Sequence, residues 1–204
     1  PQELLTQANA LLGQGQLSLA KYLMIVNEAD QPDLDIHDIG AFLHSLLSRI
    51  DWRRDLHFQT RTTIDTLDYS GSALNAGSKV VMAASGRARR VLPVELPGDL
   101  RLPAGFSSPR IAAPGILVVK AEPWQGERGA PAADLAAFCR SYTQDDEIND
   151  FPLIVLVDDA EFVARNLDNL LWVAFTRSAP ASDIEGIESF SYAKHWGCRG
   201  SLVI

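Results

Sequence analysis

The residues best placed to bind a ligand lie between positions 60 and 80. Hydroxyl groups and Arg61 come first, a loop with glycines at 71 and 77 follows, and Lys79 stands directly after Gly-Ser. Backbone amides in such a loop can hold an anion, and a lysine supplies a point charge. The pattern differs from a Walker A loop, because the glycines are one residue too far apart. It favours either an anion contact at Arg61 and Lys79 or a structural loop whose lysine reaches solvent.

A thiol and a histidine stand close together in Lys194-His-Trp-Gly-Cys-Arg-Gly200. Cys198 as a nucleophile with His195 as its base is conceivable chemistry. Residues three apart in an extended segment seldom reach attack geometry, so the segment favours a tight, buried turn. We expect Cys139 and Cys198 to be small buried hydrophobic residues of a reduced protein, because two distant cysteines make neither a disulfide framework nor a zinc site.

Carboxylates follow the first apolar run, between residues 27 and 38. Oxygen ligands suit a hard cation, but the spacing lacks the central glycine and the final glutamate of a calcium loop. Carboxylates between a strand and a helix usually cap that helix. We therefore expect Asp35 or Asp38 to cap the following helix, and we expect no metal site.

Apolar runs alternate with helical patterns along the chain. Amphipathic periodicity predicts helices over residues 3–22, with a break near two glycines, and over His37–Ile50, Pro131–Tyr142, Ala160–Leu167 and Leu170–Thr176. Apolar runs predict strands at Lys21–Val26, Leu56–Thr60, Lys79–Ala84, Ile116–Lys120 and Leu153–Val157. Such strands between helices are typical of an α/β fold, in which a mixed or mostly parallel sheet is flanked by helices.

A weak internal repeat connects residues 21–56 with residues 152–184. Each segment contains an apolar strand, an acidic turn, a helix and then an arginine followed six positions later by an aspartate. The pairs are Arg49 with Asp55 and Arg177 with Asp183. The repeat predicts two related halves of one sheet, with each arginine bonded to its own aspartate through charge-assisted hydrogen bonds.

Length and charge narrow the possible functions. The 204 residues predict one α/β domain over positions 1–204, with a proline-rich excursion at 86–114. A net charge of −8 argues against a nucleic-acid binder, and no apolar run approaches a membrane span. No secretion signal is present, so we expect a cytoplasmic protein. The initial proline and the apolar end at Ser201–Ile204 lead us to expect a piece of a longer protein.

Several segments combine into a recognisable pattern. They are Tyr22–Val26, the helix that ends at Arg49, Asp51-Trp-Arg-Arg-Asp55, Thr63-Ile-Asp-Thr-Leu-Asp-Tyr69 and Gly77-Ser-Lys79. Together they resemble the C-terminal region of UbiD-like decarboxylases, the 3-polyprenyl-4-hydroxybenzoate decarboxylase-like family. Asn169–Arg177 and Lys194–Cys198 are similar to a branch of that family with a longer C-terminal domain. Thr63 replaces the family's usual proline, which leaves the loop less rigid.

The resemblance implies a carboxy-lyase that acts non-oxidatively and reversibly on an aromatic or unsaturated carboxylic acid. It implies prenylated flavin mononucleotide, a divalent metal (Mn or Mg) and potassium as cofactors, all held with the catalytic residues in preceding N-terminal domains. We therefore expect no catalytic, cofactor-binding or metal-binding residue in this chain. By position, Thr62, Thr63 and Ile64 correspond to the substrate-pocket wall, and Lys79 to a loop or interface residue.

The family's C-terminal domain also forms much of the oligomer interface, which implies a homo-oligomer. Trp52 and Trp172 support this expectation, because they lie beside helices with more apolar residues than one buried stripe requires. The other explanation is that these tryptophans fill the core. Two further functions stay open: a stand-alone binding or assembly module without catalysis, and a small independent enzyme that uses Lys79 or His195.

Overall fold

The chain forms two main β-sheets, seen in a computed structural model that describes residues 2–127, 130 and 132–204. The first unit, residues 2–84, contains α1 (Gln2–Leu12), β1 (Tyr22–Val26), α2 (Ile39–Arg49), β2 (Leu56–Thr62) and β3 (Gly77–Ala84). The second unit, residues 107–204, begins with β4 (Ser107–Ala113), β5 (Ile116–Lys120), α3 (Ala133–Arg140), β6 (Leu153–Val157), α4 (Ala160–Ala164) and α5 (Leu167–Leu171). It continues with a π-helical turn (Trp172–Thr176), α6 (Pro180–Asp183), β7 (Glu185–Gly186), β8 (Ser189–Tyr192), β9 (His195–Cys198) and β10 (Leu202–Val203).

Strand pairing confirms an α/β fold with mixed sheets. The first sheet has the order β1-β3-β2, in which β1 runs parallel and β2 antiparallel to β3. The second has the order β4-β5-β6-β10-β7, with β5, β6 and β10 parallel to one another. The expectation of two halves of one sheet is wrong, because the two strand–helix segments lie in different sheets. A hairpin of β8 and β9 completes the strands.

The main core lies between the two sheets. Side chains alternate along a strand, so Val80 and Met82 of β3 face this core while Val81 faces α1. In β5, Val118 faces the same core and Leu117 packs towards α3. Burial on both faces explains why these strands read as continuous apolar runs.

Trp52 joins the two units. Its side chain is buried in the shared core, and its indole Nε1 donates to the carbonyl oxygen of Pro152, just before β6, at 2.7 Å. The core explanation therefore holds for Trp52, and the expectation that it marks an interface is wrong. Trp172 differs, because about half of its surface is exposed.

The helix bounds follow local chemistry. The predicted helix over residues 3–22 ends at Leu12, because Gly13 follows and Gly15 adopts a positive φ of 51°. The capping prediction is confirmed at α2, where the Asp38 carboxylate accepts the amide of Ala41 at 2.9 Å. α3 begins at Ala133, and Pro131, the predicted start, lies outside the described residues. No helix in the described ranges is both long and apolar enough to cross a membrane.

The proline-rich segment is partly ordered by the second sheet. It contains β4, which the sequence did not predict, and Gly115 makes the β4–β5 turn with a positive φ of 75°. Leu92 packs against Gly115, so closely that a Cβ there would lie 2.7 Å from a Leu92 methyl. Arg90 anchors the start of the segment by donating to the carbonyl oxygens of Leu47 and Ile50.

The prediction that each arginine of the repeat bonds to its own aspartate is wrong, because neither bond is among the described contacts. Arg49 donates to Ser45, to Ser48 and to the Asp30 carbonyl, not to Asp55. Arg177 lies over the ring of Trp172, with 4.5 Å between the guanidinium carbon and the ring centroid. Arg49 is thus bonded within its own helix and to the chain after β1, and Arg177 is held by an aromatic ring.

The aspartate part of the repeat does have a structural counterpart. Asp55 accepts the amide of Asp51 at 2.9 Å, and Asp183 accepts the amide of Ala179 at 2.7 Å. Both carboxylates thus close a turn by binding the backbone four residues upstream. The two segments share this turn closure without sharing a sheet.

Candidate functional site

An open cleft of about 490 Å³ lies at the carboxyl ends of β5, β6 and β10. Ala121, Asp158 and Ile204 each follow one of these three strands and line the cleft. In open α/β sheets this edge is where ligands usually bind, because the backbone and the following loops leave a crevice there. The cleft is therefore the candidate site that the fold itself indicates.

The interior of the cleft is mostly apolar. Its walls come from β6, from the start of α3 and from the π-helical turn. The apolar lining residues there are Leu135, Val155, Val157, Val173 and Ala174. Tyr69 and Trp124 stand at the same cleft, and both are largely exposed. A small molecule with an apolar body fits such a lining.

A buried ion pair fixes one side of the cleft. The ammonium of Lys21 lies 2.8 Å from the Asp68 carboxylate, and it also donates to Ser70 Oγ and to the Thr176 carbonyl. Burial alone would raise the pKa of Asp68, but the bonds from Lys21 and Ser70 outweigh it and lower that pKa. The pair holds Ser70, and with it the exposed ring of Tyr69, beside the π-helical turn.

A second polar contact crosses between the units behind the cleft. The Ser178 hydroxyl donates to the Ala174 carbonyl, so its single proton is already used. The Tyr22 hydroxyl therefore donates to Ser178 Oγ, at 2.6 Å. Burial raises the pKa of Tyr22 and keeps it protonated near neutral pH.

Carboxylates dominate the charge of the cleft. Asp183 is the most enclosed of them, and burial raises its pKa even though bonds from Ala179 and Ser182 act in the opposite direction. The exposed carboxylates of the lining are Glu122, Asp134 and Asp158. Among the described lining residues, Arg177 alone carries a positive charge. The described lining is thus acidic.

The predicted pocket-wall residues lie outside this cleft. Thr62 ends β2 opposite Gly77, and Thr63 is exposed directly after it. Ile64 is buried within the chain, where a Cβ on Gly77 would lie 2.7 Å from its Cδ1. Ile64 therefore anchors the loop that follows, and the pocket-wall role of these three residues stays a prediction.

Lys79 does not reach solvent, so the expectation that its side chain extends into solvent is wrong. It is buried on the α1 side of β3, where its ammonium donates to the carbonyl of Ser18. Burial lowers its pKa. Arg61 is exposed, so the structure does not bring the two predicted anion contacts into one described pocket.

Cys198 and His195 do not form a catalytic pair. Both belong to β9, and residues three apart in a strand point to opposite faces. Cys198 is buried, with its thiol directed at the Gly200 carbonyl, and burial raises its pKa. His195 lies against the His57 ring, with 5.5 Å between centroids. Both cysteines are free and buried as predicted, and burial raises the pKa of Cys139 to about 12.

The cleft does not fit the cofactors that the resemblance implies. No group of three or more His, Cys, Asp or Glu side chains in this part of the chain is arranged to hold a metal ion. The acidic cleft is a poor site for the phosphate of a flavin mononucleotide, because phosphate requires basic side chains or free backbone amides.

Residues 1–84 match the family described as the 3-octaprenyl-4-hydroxybenzoate carboxy-lyase C-terminal domain. Residues 1–84 are therefore similar to a UbiD C-terminal domain. An uncharacterized protein of Chlamydia trachomatis is 34% identical over 182 residues, which cover 89% of this chain and 28% of that protein. A Chlamydia pneumoniae protein, named as one of the subunits of a 4-hydroxybenzoate decarboxylase, is 30% identical over 208 residues, which cover 95% of this chain and 30% of the relative.

The chain thus spans less than a third of the length of these curated relatives. No solved structure matches it significantly. The UbiD C-terminal match ends at Ala84, which is also the last residue of β3, so it covers α1, α2 and the whole three-stranded sheet. The cleft lies mainly in the second unit, and its only sequence signals were single acidic residues after apolar strands, such as Glu122 and Asp158.

Proposed function

We propose that this chain is the C-terminal domain of a cytoplasmic UbiD-like carboxy-lyase that acts, non-oxidatively and reversibly, on an aromatic or unsaturated carboxylic acid. The preceding domains of that longer protein would hold prenylated flavin mononucleotide, a divalent metal, potassium and the catalytic residues. This domain contributes to the substrate-pocket wall through Thr62, Thr63 and Ile64 and to a homo-oligomer interface. The family match over residues 1–84 carries the proposal.

The loop between β2 and β3 supports a docking role for the first unit. Leu67 and Leu74 are exposed there, although both are large aliphatic residues. Ile64 and the Lys21–Asp68 pair fix the loop from beneath, so these side chains are presented on a rigid base. A fixed, exposed apolar loop is what a contact with a further domain or subunit requires.

The division of labour is chemically reasonable. A flavin-type cofactor performs the difficult electronic step, while protein groups bind and orient the substrate and exclude water. A domain without an acid–base pair of its own can still set specificity by closing over the substrate. Thr63 directly follows β2, is exposed and precedes the anchored Ile64, which supports such a contact.

The test uses the longer protein with Leu67→Asp and Leu74→Asp introduced together. We expect decarboxylation to fall at least about tenfold and the assembly to dissociate, because charges would replace apolar contacts that the proposed assembly buries. The same changes in the present chain should alter its unfolding free energy by less than about 0.5 kcal/mol, since both side chains are exposed.

Tyr192→Asp is the matched control, because Tyr192 is as exposed as these leucines but lies in the β8–β9 hairpin. It should leave activity and assembly unchanged. Full activity and an intact assembly in the double variant would contradict the docking role. The cleft favours the other function, a stand-alone binding module, which would be supported if the chain bound a ligand and no longer protein showed decarboxylation.

A further inference from the structure

Of the four tyrosine and tryptophan residues that are more than half exposed in the described part of the chain, three lie at or beside the cleft, and the fourth, Tyr192, lies in the β8–β9 hairpin. Tyr69 is 73% exposed and Trp124 52% exposed, and both line the opening. Trp172, 51% exposed, lies one side chain away, because Arg177 of the cleft lining stacks on its ring. Large aromatic side chains left in water around a concave surface indicate that something covers them when the site is occupied.

The charge around these rings is mostly negative, with Arg177 as the one positive side chain of the described lining. Glu122, Asp134 and Asp158 are exposed carboxylates of the lining, and Asp183 lies deeper. The nearby ammonium of Lys21 is already paired with Asp68 behind Ser70. Aromatic faces beside carboxylates attract cations, through the ring quadrupole and through direct charge attraction.

The size and the floor of the cleft limit the ligand. A volume of about 490 Å³ lies in the range of sites for small molecules. Apolar side chains from β6 and the π-helical turn, such as Val155, Val157 and Ala174, would contact the uncharged part of a ligand. A fully hydrated metal ion would leave this apolar lining unused.

We propose that the cleft binds a small organic cation, a protonated amine attached to an apolar or aromatic body. The carboxylates and the rings of Tyr69 and Trp124 recognise the charged group, and the apolar walls take the body. This site is separate from the carboxylic-acid pocket of the proposed decarboxylase, whose anionic substrate the acidic lining would repel. The inference therefore stands whether or not the proposed function does.

The test compares three probes of nearly the same shape: 2-phenylethylamine, 2-phenylethanol and 3-phenylpropionate. Calorimetric titration of the chain near pH 7 should show saturable binding of the amine at one site. We expect the amine to bind about tenfold more tightly than the alcohol, because only the amine gains the cation–π and charge attraction. The carboxylate should bind most weakly.

Two exposed substitutions then locate the site. Asp158→Asn and Trp124→Ala should each weaken amine binding several-fold. The matched controls are Asp145→Asn and Tyr192→Ala, which change exposed acidic and aromatic residues outside the cleft and should have no effect. All four side chains are exposed, and a urea unfolding curve for each variant verifies that it is folded.

Several results would overturn the proposal. These are the absence of saturable amine binding at millimolar concentrations, equal binding of the amine and the alcohol, tighter binding of the carboxylate, or equal losses in cleft and control variants.

Discussion

The carboxyl ends of neighbouring parallel strands meet once in each of the two main sheets. The chain that follows the strands closes one of these edges and leaves the other open. At the carboxyl ends of β1 and β3, the Asp30 carboxylate accepts the amide of Gly86 at 2.6 Å, and Arg49 donates to the Asp30 carbonyl. These bonds close the edge. At the carboxyl ends of β5, β6 and β10 the chain leaves an open cleft instead. The same topological position is thus a structural joint in one unit and a candidate binding site in the other.

The two units also differ in what their charged residues contact. In the first unit, which matches the UbiD C-terminal family, the charged motif residues Asp68 and Lys79 point inwards and bind the fold itself. In the second unit, Glu122 and Asp158 face a cleft without closing it. Residues that are recognisable in a motif therefore need not be the residues that meet a ligand.

Removal of the Trp52 contact that joins the two units should have the largest effect on the free energy of unfolding. Trp52→Ala removes a buried ring and its hydrogen bond to Pro152, so we expect the unfolding free energy to fall by about 3–5 kcal/mol. Urea unfolding of the purified variant measures the loss. Trp172→Ala, which changes a half-exposed ring, should cost less than about 1 kcal/mol. Equal losses in the two variants would show that Trp52 does not join the units.

Removal of the Lys21–Asp68 ion pair beside the cleft should have the second largest effect on stability. Asp68→Asn leaves the Lys21 ammonium largely buried without a counter-charge, which should cost about 3 kcal/mol in urea unfolding at pH 7. Because the pKa of Asp68 is lowered in the folded chain, its stabilisation is complete above about pH 4 and is lost as the pH falls through the folded value. The wild-type chain should therefore lose more stability than the variant between pH 5 and pH 2. If the stability of the wild-type chain and that of the Asp68→Asn variant changed equally with pH, the ion pair would be ruled out as the cause of the acid loss.

A smaller, pH-dependent effect is expected at the hairpin that rests on β2. Burial and the nearby His195 lower the pKa of His57, while Asp55 acts in the opposite direction. The folded chain therefore binds a proton at His57 less readily than the unfolded chain, so stability is complete above about pH 6.5 and decreases as the pH falls through that value. His57→Gln should flatten the urea-unfolding profile between pH 7.5 and pH 5.5. If the slope of unfolding free energy against pH were the same in His57→Gln as in the wild-type chain, the lowered pKa of His57 would not be its cause.

The smallest effect should come from restoring the proline that the family resemblance implies. Thr63 follows the extended residue Thr62, and its amide donates no hydrogen bond among the described contacts, so proline suits the position. Thr63→Pro should raise the unfolding free energy by about 0.4–1 kcal/mol, because it restricts the unfolded chain. Thr66→Ala, at another exposed position of the same loop, is the comparison. A destabilised Thr63→Pro variant would show that this loop departs from the family's backbone.

The sequence predicted the elements better than their arrangement. The apolar runs Ile116–Lys120 and Leu153–Val157 are strands with the predicted bounds, because strands buried on both faces have an unmistakable composition. Apolarity does not encode which strands pair, so the division into two sheets was missed. β10 was recognisable only as an apolar end, and the β8–β9 hairpin lies in a segment for which no strand was predicted.

The cleft was harder to predict than the fold. Its lining residues come from widely separated segments, such as Tyr69 before β3, Trp124 after β5 and Arg177 after the π-helical turn. Each is an ordinary residue in its own segment. The parallel pairing of β5, β6 and β10 forms the edge at which the cleft lies, and the packing of the first unit through Lys21 brings Tyr69 to it. The predicted residues Arg61 and Lys79 are neighbours in a motif, but the intervening β2–β3 pairing gives them different surroundings.

Release of CO2 from aromatic and unsaturated carboxylic acids tests the central claim most directly. The longer protein and the present chain alone are assayed side by side with carboxyl-labelled substrates, at equal molar concentration. We predict labelled CO2 from the longer protein loaded with its cofactors and none from the chain alone, because the proposed function assigns the catalytic residues and cofactors to the preceding domains. Comparable release by the chain alone, or no release by the loaded longer protein, would contradict the assignment of this chain as the C-terminal domain of a UbiD-like carboxy-lyase.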